Sequence, residues 1–382
     1  MHLGFVTSEY PHPRISRAAG IATSLKNLVD ALVRRGVEVS IFVYHEKEDA
    51  VFTEDGIRFH LLKKRHYPIL GWYRYRKHIA AYVNKFVRSD GIDAIEAPDW
   101  TGITAFMKLD APLVIRFHGS DTYFCYLDGR VQKWKNKFFE KQAVKRAVAF
   151  IAPTTFAGQE SAKLFGLPKD KVTTIHYGLN LADFRNEDPS EFTKYRLLNI
   201  GTIIRKKGVF QLAEMFSKLV AVEPRAELIL IGSDSGDMKT GSESTWEVLQ
   251  SHFSDEAKKR VKYVGKIPYS EVKQHIRDAH VCVFPSLAET LGMVTIESMA
   301  LQKVVVNTNY GWAEELIDHG VNGYKADPND TDAYVKIITD LFPSEQKTLE
   351  IGKAARTKIE KVFDMEKIVQ TNIEFYEQII SR

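Results

Sequence analysis

Short apolar runs bounded by turn residues recur along the chain, and longer stretches of helical period separate them. This alternation predicts βα units around a parallel sheet, because strands covered on both faces are apolar throughout rather than at every second position. The first unit is the clearest. Leu3 to Thr7 reads as a buried strand, Leu25, Leu28, Val29, Leu32 and Val33 mark one helical face stopped at Gly36, and Val37 to Val43 returns as a second strand. Residues 57–62, 92–95, 113–117, 149–152 and 172–175 continue the series.

After Tyr177-Gly178-Leu179-Asn180, residues 183–194 are polar, contain Pro189 and have no apolar period, which is linker composition. The pattern then restarts with strands expected at 197–200, 228–231, 261–264, 281–284 and 304–307 and a helix from about Gly208. The expected fold is α/β, with two Rossmann-like doubly wound domains facing each other across a cleft. Residues 1–180 form the first domain, 181–364 the second, and a C-terminal helix in 365–382 packs back on the first. Ligands of such sheets sit beyond the carboxyl ends of the strands, so the chemistry belongs in the loops there.

Composition narrows the class. Hydrophobic residues at 44% and charged residues at 27% of 382 exclude disordered, collagen-like and disulfide-scaffold chains. Lys and Arg number 53 against 49 Asp and Glu, a balance too mild to imply a nucleic-acid partner. Cys125 and Cys282 lie far apart in apolar stretches and are expected to be free thiols. The N-terminus runs straight into strand-like sequence, and no apolar run approaches the ~18 residues a spanning helix needs. A cytoplasmic protein is expected, with any membrane contact peripheral, at the inner face.

The common phosphate and nucleophile motifs are missing. Between Thr7 and the first helix there is one glycine, Gly20, where a dinucleotide fingerprint needs G-x-G-x-x-G, and no P-loop, zinc spacing or Gly-x-Ser-x-Gly occurs. Two other segments stand out instead. Residues 284–300 follow a strand and open a helix, carrying Glu289 and Glu297. Eight residues apart, the two are ~80° from a common helical face, so they serve one ligand only if Glu289 lies in the loop and Glu297 in the helix. Leu291, Gly292, Met293 and Val294 then offer backbone N–H groups to a phosphate at a helix N-terminus. Residues 199–208 again run strand, loop and helix start, with Arg205, Lys206 and Lys207 able to make charge-assisted bonds to a diphosphate or, alternatively, to form a solvated loop.

Gly-x₅-Lys-Gly from Gly201, Ile229-Leu230-Ile231-Gly232, Val264-Gly265 and Pro285-Ser286-x₂-Glu-x₂-Gly-x₄-Glu occur in the order that resembles the C-terminal domain of family 4 retaining glycosyltransferases of GT-B fold. Ala19-Gly20, Phe117-His118-Gly119 and the segment from Lys171 to Asn180 are similar to the family's N-terminal domain. The resemblance implies that a sugar moves from a nucleotide-diphosphate sugar, UDP- or GDP-linked and a substrate rather than a cofactor, to a glycan, lipid-linked or small-molecule acceptor. No metal is implied, because Lys207, Arg205 and the helix N-terminus answer the diphosphate charge. Glu289 is implied to hold the donor sugar's hydroxyls, Glu297 the ribose hydroxyls, His118 the donor sugar, and the backbone near Ile267 the base. Gly20 would let backbone approach the diphosphate or acceptor.

The chain departs from the family in three places. Thr202 stands where Arg usually follows the glycine, with Arg205 the candidate to supply that charge; Tyr177 replaces the usual Asn at the domain joint; and Pro153-Thr154 replaces Val-Ser. Glu96, Asp99 and Trp100, at a strand end, are candidates to line the acceptor site. Basic and aromatic residues cluster at 63–77 and 133–146, which suits an anionic bilayer or equally a solvated helix face. Two other readings share the architecture: a sugar-nucleotide 2-epimerase or hydrolase, and a non-catalytic nucleotide-sugar binding protein.

Overall fold

The apolar runs become parallel strands in two units of a computed structural model that describes residues 1–18 and 20–381. Ala19 therefore lies outside the described residues. One unit comprises Met1–Leu179 with Met365–Arg382, the other Asn180–Asp364.

In the first unit the strands are β1 (His2–Thr7), β2 (Glu38–Glu46), β3 (Ala50–Glu54), β4 (Ile57–Lys63), β5 (Ala94–Pro98), β6 (Leu113–Arg116), β7 (Ala149–Ala152) and β8 (Val172–Thr174). They lie in the order β3-β4-β2-β1-β5-β6-β7-β8. All neighbours are parallel except β3, which pairs antiparallel with β4 as an edge hairpin. That edge strand departs from the purely parallel sheet expected. Its residues are exposed or half-buried, so it lacks the apolar run that marks the others.

The second unit contains β9 (Arg196–Ile200), β10 (Glu227–Ile231), β11 (Val261–Gly265), β12 (Val281–Phe284), β13 (Val304–Thr308) and β14 (Tyr324–Ala326), ordered β11-β10-β9-β12-β13-β14 and parallel throughout. The sheet grows outward from β9 in one direction, and the chain then crosses to β12 on the other side. The point of reversal lies between β9 and β12 here and between β1 and β5 in the first unit, which is where open α/β sheets leave a crevice for a ligand.

Two segments differ from their compositional reading. The polar stretch 183–194 is pinned to the second unit, because Arg356 donates to the Phe184 carbonyl, Arg277 to the Arg185 carbonyl and Asn186 to the Leu301 carbonyl. Glu96, a candidate for the acceptor site, is buried in the first unit and engaged in an ion pair. Arg116 on the adjacent strand grips it with Nε–Oε1 of 2.8 Å and Nη2–Oε2 of 3.0 Å. Tyr376 donates to the same carboxylate, and Asn372 accepts from Arg116 at 2.7 Å, so this buried pair ties the helix Met365–Ile380 to the sheet. Cys125 and Cys282 are both buried and free.

Candidate functional site

In the second unit the two loops at the reversal point are bonded to each other. The amides of Leu287 and Ala288, after β12, donate to the Lys206 carbonyl, after β9, at 2.8 and 3.2 Å. Gly208 makes that approach feasible: its φ is +68°, and a Cβ there would lie 1.8 Å from the Pro285 carbonyl oxygen. With the loops so joined, the Lys207 ammonium sits on the Glu289 carboxylate, while Ser286 Oγ lies 3.3 Å from the same oxygen. Sequence spacing does not relate Lys207 to Glu289; the fold brings the two together.

The helix Met293–Ala300 begins at Gly292, which has φ +95° and no side-chain cap, so its first amides face the loop without a covering hydroxyl or carboxylate. Leu291 is buried beneath, and Met293 and Val294 are half-buried. One turn on, Glu297 is 4% exposed and accepts a hydrogen bond from the Tyr269 hydroxyl at 2.7 Å. Burial raises its carboxyl to about 7, the Tyr269 bond and the Lys273 charge only partly opposing. Tyr269 opens the helix after β11, two residues beyond the half-buried Ile267. Sequence reasoning missed it, because nothing in the spacing 269–297 marks a pair.

Arg205 is bound elsewhere. Its Nε and Nη2 each lie 2.6 Å from an oxygen of Asp237, in the loop after β10, and its guanidinium stacks over Phe210 at 4.1 Å. The Arg205 bonds, with burial partly opposing, hold the Asp237 carboxyl far below its usual range. The expected replacement for an arginine at Thr202 therefore has its charge answered within the unit, and Thr202, half-buried at the loop start, has none to add. Arg205→Ala should cost about 2 kcal/mol of stability, discounted for the part-exposed guanidinium. The contribution is full above the ordinary carboxylate pKa of about 4 and is lost as pH falls below it. Asp237→Asn should reproduce the melting and activity losses of Arg205→Ala; a more active Asp237→Asn would show instead that the Arg205 charge works on substrate.

In the first unit, His118 follows β6. Its amide donates to Asp99 Oδ1 at 2.9 Å, and its Nδ1 lies 2.7 Å from the Tyr177 hydroxyl, with the two rings stacked. Burial and the Arg116 charge push the imidazole down to about 3, so it is neutral at physiological pH. Tyr177 thus orients the histidine, a role its place among the departures did not suggest. Asp99 is 1% exposed, its carboxyl raised to about 7 by burial although the amides of 118–120 bond to it, so it braces that turn rather than reaching an acceptor. Trp100 beside it is exposed. Gly20 opens the helix Gly20–Arg34 with nothing within 4 Å of a Cβ, but the Ala22 amide is capped by Glu9 at 3.0 Å.

The family model for glycosyltransferase family 4 matches residues 18–183, and that for glycosyl transferases group 1 matches residues 182–358. The chain belongs to the family 4 glycosyltransferases. A glycosyltransferase of Methanocaldococcus jannaschii is 25% identical over 355 residues, 87% of each chain. The sucrose-phosphate synthase of Thermosynechococcus elongatus superposes with a TM-score of 0.79 at 18% identity, covering 100% of this chain and 99% of its own. Anabaena HepE, solved in complex with UDP, gives 0.76 at 19%, covering 99% and 100%. These likenesses establish the GT-B fold.

Proposed function

We propose that this glycosyltransferase moves a hexose, with retention at the anomeric carbon and without a metal ion, from a nucleotide-diphosphate sugar to an acceptor hydroxyl. The observation that carries the reading is the Lys207–Glu289 pair at the reversal point of the second sheet, beside the uncapped start of the helix Met293–Ala300. An ammonium and uncapped amides suit a departing diphosphate, and a carboxylate suits sugar hydroxyls. Glu297 takes the ribose hydroxyls. UDP is the first nucleotide to test, supported by its presence in Anabaena HepE.

The bond from C1 to the diphosphate oxygen breaks, the bond from C1 to the acceptor oxygen forms on the same face, and the acceptor proton passes to the departing phosphate. His118 supports this course. An imidazole with so low a pKa is a poor general base but a sound hydrogen-bond partner for a sugar hydroxyl.

The test is incubation with UDP- and GDP-hexoses and a panel of glycan and lipid-linked acceptors, with the product's anomeric configuration read by NMR. An axial linkage from an axial donor, formed equally with EDTA, is expected. An inverted product, sugar release or epimerisation without acceptor, or a rate restored only by magnesium or manganese would overturn the proposal.

A further inference from the structure

The helix Trp134–Val144 is built the wrong way round for a helix that ends at the protein surface. Its covered side holds Glu140, Ala143 and Val144, while Trp134 and Phe138 point away from the core. Positions 134, 138, 141 and 145 fall within about 60° of arc, so two aromatics and two lysines form one exposed ridge. Trp134 is 72% exposed and Val131, just before it, 97%.

The ridge joins a second exposed apolar segment. Trp72 packs its ring 4.9 Å from Phe139 and 5.6 Å from Phe106, and Phe106 lies 5.9 Å from Phe138. Ile69 and Leu70, separated from Trp72 by Gly71, are 68% and 56% exposed. Six large apolar side chains thus share one face of the first unit, more than scattered exposure accounts for. Around them Lys133, Lys135, Lys137, Lys141 and Lys145 are exposed, and among the described residues no carboxylate pairs with them. The helix's own acid, Glu140, is buried and accepts from Asp121 and Thr122.

We propose that this face is a docking surface for an anionic lipid bilayer, with Trp134, Phe138, Trp72, Ile69, Leu70 and Val131 entering the interfacial region and the lysines meeting the headgroups. Charge complementarity selects the occupant. A second copy seated on the same face would set lysine against lysine, whereas an anionic bilayer rewards both the apolar ridge and its cationic border.

The test uses the full chain and vesicles of phosphatidylcholine alone or with phosphatidylglycerol at three parts in ten, read by co-sedimentation and by tryptophan emission. Binding to the anionic vesicles alone, weakened by raising salt, is expected. Trp134→Ser with Val131→Ser should reduce partitioning by at least about tenfold, as should Lys137→Glu with Lys141→Glu, while melting temperature and UDP binding stay unchanged because all four side chains are exposed. Equal binding to both vesicle types, no binding to either, or a dimer that the same substitutions dissociate would overturn the proposal.

Discussion

Replacing Lys207 by alanine should lower kcat/KM by at least about a hundredfold, most of it in kcat. Two losses add. The ammonium no longer meets the departing diphosphate, a charge-assisted contact worth ~1.5–3 kcal/mol, and the carboxylate of Glu289 is left beside that diphosphate without the cation that sits on it here. Together they amount to ~3–4 kcal/mol, or two to three decades in rate. The interaction grows as the leaving group takes up charge, so the effect falls on the transition state rather than on donor binding. A double-mutant cycle with Glu289→Gln checks the assignment: the two losses should be strongly non-additive, because each residue's action depends on its partner. A Lys207→Ala enzyme within threefold of the parent would remove the pair from the reaction.

Gly208→Ala bears on the same point from the backbone, since its methyl would press on the Pro285 carbonyl and part the two loops that deliver Lys207 to Glu289. The glycine that follows the lysine in the sequence motif is therefore as much a part of the site as the lysine.

The motifs were legible because each lies within one strand-loop-helix step, where spacing carries meaning. The loops after β9 and β12 are each marked in the sequence as neighbours of a ligand, although the bonds between them are not. The partners were not legible. Asp237 lies 32 residues beyond Arg205, Tyr269 lies 28 before Glu297 and Tyr177 lies 59 beyond His118, and no helical or strand period links such positions. The sequence therefore offers Arg205 as the candidate for the charge missing at Thr202 but carries no sign of its bonds to Asp237. Glu96 was placed near an acceptor because it lies close to a strand end, although it and Arg116 each interrupt an apolar run on adjoining parallel strands. Two opposite charges inside neighbouring buried strands have to find each other, since a lone buried charge is too costly. That was the signal available for the pair. The edge strand β3 escaped notice because an exposed edge strand is specified by its partner's backbone rather than by its own pattern.

Glu297→Gln should weaken nucleotide binding and at the same time make the protein more stable. This carboxylate is almost fully buried and accepts from the Tyr269 hydroxyl, and burial raises its pKa from 4.5 to about 7. An acid whose folded pKa is raised holds its proton longer in the folded state than in the unfolded one. Stability therefore falls as pH rises from about 4.5 to 7, and the penalty, on the order of 3 kcal/mol, is complete above that. Glutamine keeps the acceptor for the Tyr269 hydroxyl and sheds the charge, so the variant should melt several degrees higher at pH 8 and nearly unchanged at pH 4.5. Binding should move the other way. Two ribose hydroxyls donating to a carboxylate are worth more than the same two meeting an amide, and the loss should be about ten- to thirtyfold in Kd for UDP at pH 8. Because the phosphates of UDP titrate too, the informative quantity is the difference between parent and variant: it should shrink as pH drops through 7, where the parent's carboxyl takes up its proton. A variant that melts no higher at pH 8, or one that binds UDP as tightly as the parent there, would mean that Glu297 is not a carboxylate kept buried at a cost in order to receive the nucleotide.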